Sequence, residues 1–238
     1  MDSERKPNII LQHLEAFVSL LFPNLCLGCG GVITAQEQVL CVICENSLPK
    51  TNFHNEKENV VFKRLYGRIP IENATPLFYF DKGNTVQHLM HQLKYRGKKE
   101  IGTYLGKMVG ADLLTVEDYK NINAVIPVPL HERKFRIRGY NQSDYFALGI
   151  AEAMKINALT NIIKRIEYTE TQTGKNRFER WENVKNAFIV EQPDAIKGLH
   201  VLLVDDVVTT GATLEACAQH LLNIEDVKVS IATIAFAH

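Results

Sequence analysis

The segment from Leu199 to Thr213, L-H-V-L-L-V-D-D-V-V-T-T-G-A-T, constrains the fold more than any other part of the chain. Its apolar run Val201-Leu202-Leu203-Val204 is short and rich in β-branched residues, the pattern of a strand buried on both faces of a parallel sheet. Two carboxylates, Asp205 and Asp206, follow at the C-terminal end of that strand, the edge where open α/β sheets bind ligands. Thr209-Thr210-Gly211-Ala212-Thr213 then lead into a helix marked by Leu214, Cys217, Ala218, Leu221 and Leu222. Small residues and a glycine let backbone N–H groups approach an anion, and the helix N-terminus favours negative charge. The threonine hydroxyls add donors. Acceptors for sugar hydroxyls thus stand beside a phosphate cradle, a combination suited to a ribose 5-phosphate. No lysine follows the glycine as a P-loop requires, and no G-x-G-x-x-G marks a dinucleotide site. The plain alternative is a helix N-cap with acidic residues in a turn.

The string resembles the phosphoribosyl-pyrophosphate (PRPP) motif of type I phosphoribosyltransferases. That resemblance implies that Asp205 and Asp206 hold the ribose hydroxyls. It also implies that Thr209, Thr210, Gly211, Ala212 and Thr213 wrap the 5-phosphate.

A chain of 238 residues, 46% of them apolar, can bury the core of one α/β domain and carry a small appendage. Formal net charge is zero, so affinity for a polyanion has to come from local clusters. Met1 to Asn8 is polar, and the apolar stretch after it is broken by Gln12, His13 and Glu15. It is too short and too polar for a signal peptide or a membrane span, so the expectation is a soluble cytoplasmic protein with reduced thiols and no membrane insertion. Ile10, Leu14, Phe17, Val18 and Leu21 make a helical stripe over Ile9–Phe22, expected to pack on the next element. Its polar face lacks the Lys/Arg content of a membrane-surface helix.

Four of the five cysteines come next, as Cys26-x-x-Cys29 and Cys41-x-x-Cys44. Each pair can set two thiolates on one side of a tight turn, and Gly28, Gly30 and Gly31 permit such turns. Four thiolates around one ion is the closed geometry of structural zinc; two redox motifs are the competing reading. A zinc site of this kind supplies on the order of 10–16 kcal/mol of apparent binding energy to a very small fold. Cys217, alone on an apolar helix face, reads as a core residue.

Pro49 to Asn59 is polar and reads as a linker. The expected domains are therefore 1–50, with the N-terminal helix and zinc knuckle, and 51–238. Within the second, Val60 to Tyr66 is a short helix, Ala74 to Phe80 a strand, and Thr85 to Leu93 a helix with Thr85 as its cap. Lys94-Tyr95-Arg96-Gly97-Lys98-Lys99 reads on its own as a solvated basic loop. Ile101, Tyr104, Leu105, Met108, Val109 and Leu113 mark a long amphipathic helix. Ala124 to Val128 is a strand whose prolines suit an end or an edge. Arg133 to Arg138 then form a basic loop, and Asn141 caps a helix through Tyr145, Leu148, Ala151 and Met154. Asn161 to Lys164, Phe188 to Val190 and Val227 to Ala235 complete the strands. Glu167 to Trp181 is polar and long for a connection, which points to a lid or to disorder.

Strands alternating with helices argue for an α/β fold, a mostly parallel sheet with helices on both faces. The segments Val128 to Gln142, Glu167 to Trp181 and Asp205 to Thr213 each follow a strand and would converge on one sheet edge.

Nearly the whole chain resembles the ComF family, competence-protein relatives of the phosphoribosyltransferases. The marks are the Cys26/Cys29/Cys41/Cys44 knuckle, Lys94-Tyr95-Arg96-Gly97, Val128-Pro129-Leu130-His131 with Arg133, Arg138-Gly139-Tyr140-Asn141-Gln142, the Gln172-to-Asn183 stretch with Arg180, and the PRPP motif. The resemblance implies the type I phosphoribosyltransferase fold. By position, Pro129, Leu130 and His131 would meet pyrophosphate, supported by Arg133 and Arg138. Glu167 to Trp181 would be a flexible lid whose Lys175, Arg177 or Arg180 neutralises departing pyrophosphate. Asp205, Asp206 and Arg180 would form the catalytic set, with Mg²⁺ accompanying PRPP. The family also implies work on incoming single-stranded DNA in natural transformation, with helicase and recombination-loader partners. Lys94, Arg96, Arg136 and Arg138, near Tyr95, Phe135 and Tyr140, fit DNA backbone contacts and base stacking as well as they fit PRPP. Two readings therefore stand: a PRPP-binding protein or enzyme, and a non-catalytic DNA-handling protein built on the same fold.

Overall fold

A computed structural model describes residues 22–34, 36–166 and 187–237. The chain divides into two compact units, Met1–Leu48 and Pro49–His238. Among the described residues no helix is long and apolar enough to cross a membrane. The helix expected over Ile9–Phe22 lies outside the described residues except for Phe22.

The described residues of the small unit form two turns and one short helix. Cys26 N–H donates to the Gly31 carbonyl and Gly30 N–H to the Cys26 carbonyl, closing a turn in which Gly30 takes φ +77°. Leu25 and Val32 form an antiparallel bridge across it. The second turn leads into α1 (Val42–Asn46), whose N-cap is Cys41. Glu37 joins the two: its carboxylate accepts from Thr34 N–H and hydroxyl and from Val42 N–H, which holds it below the usual carboxylate range.

The large unit is a five-stranded sheet in the order β1-β7-β6-β2-β3, parallel throughout. The strands are β1 (Ala74–Tyr79), β2 (Ala124–Pro127), β3 (Asn157–Ala158), β6 (His200–Val208) and β7 (Lys228–Phe236). A separate antiparallel pair joins β4 (Ile163–Arg165) to β5 (Phe188–Val190). Among the described residues the helices of this unit are α2 (Val60–Tyr66), α3 (Thr85–Tyr95), α4 (Glu100–Leu114), α5 (Glu132–Arg138), α6 (Gln142–Met154) and α7 (Ala212–Leu222). Side chains alternate across a strand. Val201 and Leu203 of β6 join a core with Leu65 of α2 and Leu214, Cys217 and Leu221 of α7, while α6 packs on β2 and β6 and lies along α4. Cys217 is fully buried, as its place on an apolar helix face indicates.

Several expectations are corrected. The stretch Pro49 to Asn59 is not a free linker: Lys50 bridges Phe78, Thr51 N–H donates to the Leu77 carbonyl, and Tyr79 N–H to the Pro49 carbonyl. Asn59 is buried, caps α2 and donates to the Ala74 carbonyl. Thr51, whose hydroxyl donates to the Pro76 carbonyl, and Asn59 serve backbone groups, while Asn52, Lys57 and Glu58 face solvent. Asn84, not Thr85, caps α3, accepting from Gln87 N–H. The basic run Arg133–Arg138 is not a loop but α5, made of good helix formers, capped by His131 and ended by Gly139 at φ +75°.

The detail that matters most for function is the length of β6. It extends to Val208 because β7 pairs with it as far as Val208↔Phe236. On the other side β2 pairs only to Pro127↔Val204, and Val128 N–H makes the last bond, to the Val204 carbonyl. Pro129 has no N–H to continue the ladder. Asp205 and Asp206 therefore sit within the strand, not beyond it, where one neighbour has turned away and opened a cleft.

Candidate sugar-phosphate site and metal centre

The acid pair is held from α6 and α3. Asp206, 8% exposed, accepts at Oδ2 from Lys94 Nζ at 2.9 Å and from Gln142 Nε2 at 2.7 Å. Gln142 Oε1 in turn accepts from Arg138 at 2.7 Å. Asp205 Oδ1 accepts from Ser143 Oγ at 3.0 Å and from Asp206 N–H at 2.8 Å. Gln142 and Ser143 open α6, whose cap is Asn141, as the sequence indicates; the Asn141 amide also donates to the Val128 carbonyl at 3.0 Å. One asparagine thus ties the turn after β2 to the helix that holds the acids. Desolvation and the adjacent Asp206 charge push Asp205 up to about 7, against the pull of Asp206 N–H, Ser143 and Lys94.

The loop after β6 is braced from behind. Arg64 of α2 donates to the Thr209 carbonyl and lies over the Phe236 ring at 4.9 Å. Arg68 donates to the Thr210 carbonyl at 2.9 Å and pairs with Glu215 at 2.7 Å. Gly211 takes φ +80°, and a Cβ there would meet Leu65 Cδ2 at 2.6 Å, so the turn into α7 requires glycine.

The cleft is lined by Asp205, Asp206 and Thr213, by Val128, Pro129, Leu130 and His131, and by Lys94, Lys134, Arg138, Asn141, Gln142 and Arg165. Cations thus face the two carboxylates. Thr209, Thr210, Gly211 and Ala212 carry the chain from β6 to the start of α7. Lys94 is not in a solvated loop: it ends α3 with its ammonium on Asp206. Arg133, Arg96 and Arg136 are exposed and do not line the cleft; Arg136 pairs with Glu132 at 3.6 Å. The expected lid, Glu167–Trp181 with Lys175, Arg177 and Arg180, lies outside the described residues.

Lys134, Arg165, Gln142 and Ser143 went unassigned by sequence reasoning. Arg165 ends β4 of the separate antiparallel pair, so the strand-end rule for the parallel sheet does not reach it. Gln142 and Ser143 were legible as the first helical residues after a cap. Lys134 was hidden by its basic neighbours, since helical phase decides which of them faces the cleft.

In the small unit the four sulfurs of Cys26, Cys29, Cys41 and Cys44 all lie within 4.8 Å of one another. Cys29 and Cys41 Sγ stand 3.9 Å apart. Tetrahedral zinc with Zn–S near 2.3 Å needs sulfurs about 3.8 Å apart, so the cluster can hold a zinc ion. Backbone N–H groups of Gly28 and Cys41 point at Cys26 Sγ at 3.3 and 3.2 Å, and that of Gly31 at Cys29 Sγ at 3.4 Å. Burial pushes the Cys26 thiol up, but the N–H groups of Cys29, Cys41 and Gly28 outweigh it and bring it to about 6, favouring thiolate. A Cβ on Gly28 would meet Cys44 Sγ at 3.0 Å.

Residues 146–238 match the family described as phosphoribosyl transferase domain. The match takes in the acid pair and the loop after it, but not Lys94, Lys134, Arg138 or Gln142. Competence protein F of Haemophilus influenzae is 30% identical over 223 residues, 86% of this chain and 94% of that protein. DNA utilization protein YhgH of Escherichia coli K12 is 34% identical over 218 residues, 85% of this chain and 92% of that one. Competence protein ComFC of Bacillus subtilis is 26% identical over 137 residues, 58% of this chain and 53% of that protein. Among solved structures, the glutamine PRPP amidotransferase of B. subtilis aligns at a TM-score of 0.40 and 20% identity, covering 59% of this chain and 30% of that one. Adenine phosphoribosyltransferase of Saccharomyces cerevisiae gives 0.35 and 14%, covering 59% and 69%.

Proposed function

The chain belongs to the competence protein F family, and from that membership we propose that its cleft binds PRPP or a related ribose 5-phosphate, in a cytoplasmic protein that serves DNA uptake. The larger unit has the type I phosphoribosyltransferase fold. The observation that carries the reading is the acid pair Asp205 and Asp206 in one cleft with Thr213 and the cations Lys94, Lys134, Arg138 and Arg165. In this reading the carboxylates receive the ribose hydroxyls, Thr209 to Thr213 receive the 5-phosphate, and Pro129, Leu130 and His131 with the cations receive pyrophosphate. By position in the sequence, Arg133, which is exposed and does not line the cleft, and Arg180, which lies outside the described residues, complete the proposed set. Mg²⁺ comes with the pyrophosphate, whose oxygens suit it. Zinc on the four cysteines is structural.

Phosphoribosyl transfer fits this arrangement. The bond from the anomeric carbon to pyrophosphate breaks, its electron pair leaves with pyrophosphate, and a lone pair of the acceptor nucleophile forms the new bond at that carbon. The sugar becomes cation-like beside two carboxylates while negative charge grows on the cationic side of the cleft. The names of the relatives, competence and DNA utilization, support a task in DNA uptake or use; single-stranded DNA as its object, with helicase and recombination-loader partners, is what the family resemblance implies.

A second reading, direct single-stranded DNA binding, is favoured by Arg96 and Arg136 at the surface, each with an exposed ring next to it in sequence, Tyr95 (60%) and Phe135 (46%). Lys94 and Arg138 join them in that reading. Thermal unfolding with Mg²⁺–PRPP separates the two. Ligand at a hundredfold its dissociation constant stabilises the native state by about 2.7 kcal/mol. The expected shift appears in the wild type and vanishes in Asp206→Asn. Absence of any shift in the wild type, with salt-sensitive DNA binding that Asp206→Asn leaves intact or improves, would establish the second reading instead.

A further inference from the structure

Asp206 Oδ2 already accepts two donors, the Lys94 ammonium at 2.9 Å and the Gln142 amide at 2.7 Å. A carboxylate oxygen offers two lone pairs, so this one is saturated. A sugar hydroxyl that donates to it has to displace one of the two. They are not held equally. Gln142 is 4% exposed, and its own oxygen is pinned by Arg138 at 2.7 Å. Lys94 is a flexible stem with a side chain 22% exposed, and it lines the same cleft as Pro129, Leu130, His131 and Lys134.

Its position is nonetheless built, not accidental. The residue before it, Leu93, is fully buried and its carbonyl accepts from the Tyr140 hydroxyl. The residue after it, Tyr95, lies under the Arg138 guanidinium at 5.3 Å. Lys99 lies over the rings of Tyr140 and Tyr145 at 4.9 and 5.2 Å. The end of α3 is therefore clamped to the start of α6, and the clamp aims Lys94 into the cleft.

We propose that Lys94 is an exchangeable counter-ion of the cleft: it neutralises Asp206 when no sugar is present, and it passes to the pyrophosphate of PRPP when a ribose hydroxyl takes its place on Asp206. This rests on the sugar-phosphate reading of the cleft and makes Lys94 a ligand-binding residue supplied from outside the matched domain. The test compares PRPP, which carries pyrophosphate, with ribose 5-phosphate, which does not, by calorimetric titration of the zinc-loaded full chain. Lys94→Met removes the charge and keeps the stem; Lys94→Arg keeps the charge. The expected result is that Lys94→Met weakens PRPP by about tenfold or more, the worth of a charged hydrogen bond. Ribose 5-phosphate is unchanged or bound more tightly, because Asp206 is already free, and Lys94→Arg restores most PRPP affinity. Equal weakening of both ligands would make Lys94 merely the group that orients Asp206 and would overturn the proposal, as would no effect on either. If the wild type binds neither ligand, the sugar-phosphate reading itself fails and the proposal falls with it. A single cooperative unfolding transition for Lys94→Met, at whatever midpoint the lost ion pair leaves it, certifies the fold.

Discussion

Two adjacent aspartates in a desolvated cleft do not both carry full charge without cost. Asp205 bears that cost: burial first and the Asp206 charge second raise it from 3.8 to about 7. The sign for stability follows. Between those values the native state holds a proton that the unfolded chain has released, so stability falls as pH rises through that window. Asp205→Asn is expected to remove this part of the fall. Urea midpoints of variant and wild type, compared across the window, should diverge in the variant's favour as pH rises; parallel curves would contradict the shifted aspartate. Asp144, raised to about 6 by burial, keeps its own contribution in both proteins. The same acids show what sequence can and cannot say about one residue. Their chemistry was legible because the apolar strand and the small-residue loop flank them directly. The role of Lys94 was not, because its partner is remote in sequence and a lysine in a basic run looks solvated until the fold is known.

At the scale of elements, the site depends on how closely α4 and α6 approach. Gly102, Gly106 and Gly110 recur every fourth residue on α4 and face α6. A Cβ on Gly106 would meet the Phe146 carbonyl oxygen at 2.3 Å, and one on Gly149 the Thr103 carbonyl oxygen at 2.1 Å. Backbone cannot yield as a flexible side chain does, so Gly106→Ala would part the helices. The expected loss is about 1–3 kcal/mol, typical of overpacking. It should bring weaker PRPP-dependent stabilisation, since α6 carries Gln142 and Ser143. Gly67, where an added Cβ meets nothing within 4 Å, supplies the control, and urea unfolding of both variants decides the matter. The glycine spacing was present in the sequence but hidden inside an apolar stripe that already explained the helix. The run Arg133–Arg138 was misjudged for a related reason: charge was read as irregularity, although arginine and lysine are good helix formers.

For the whole molecule, what the sequence announced was local. The cysteine spacing, the β6 string and the alternation of strands and helices each lie within a few residues of one another. What it withheld was long-range: β2 stopping four residues short of the end of β6, the clamp between α3 and α6, and the docking of residues 49–59 along β1. The strand order has one more consequence, and it concerns synthesis rather than binding. β1 lies at the sheet edge with β7 as its only neighbour among the described strands, and β7 comes last of them in the chain. A growing chain therefore presents β1 long before its neighbour exists, and the sheet is in two pieces until Lys228–Phe236 arrive to be inserted between β1 and β6. Ribosome-bound chains arrested before Lys228 emerges should remain protease-sensitive throughout the large unit, and chains arrested after Phe236 has cleared the exit tunnel should be protected in a single step. Stepwise protection would mean that β6, β2 and β3 hold together unaided. In the single-step case β7, the last made of the described strands, joins both halves, and the window for misassembly stays open until Lys228–Phe236 have emerged.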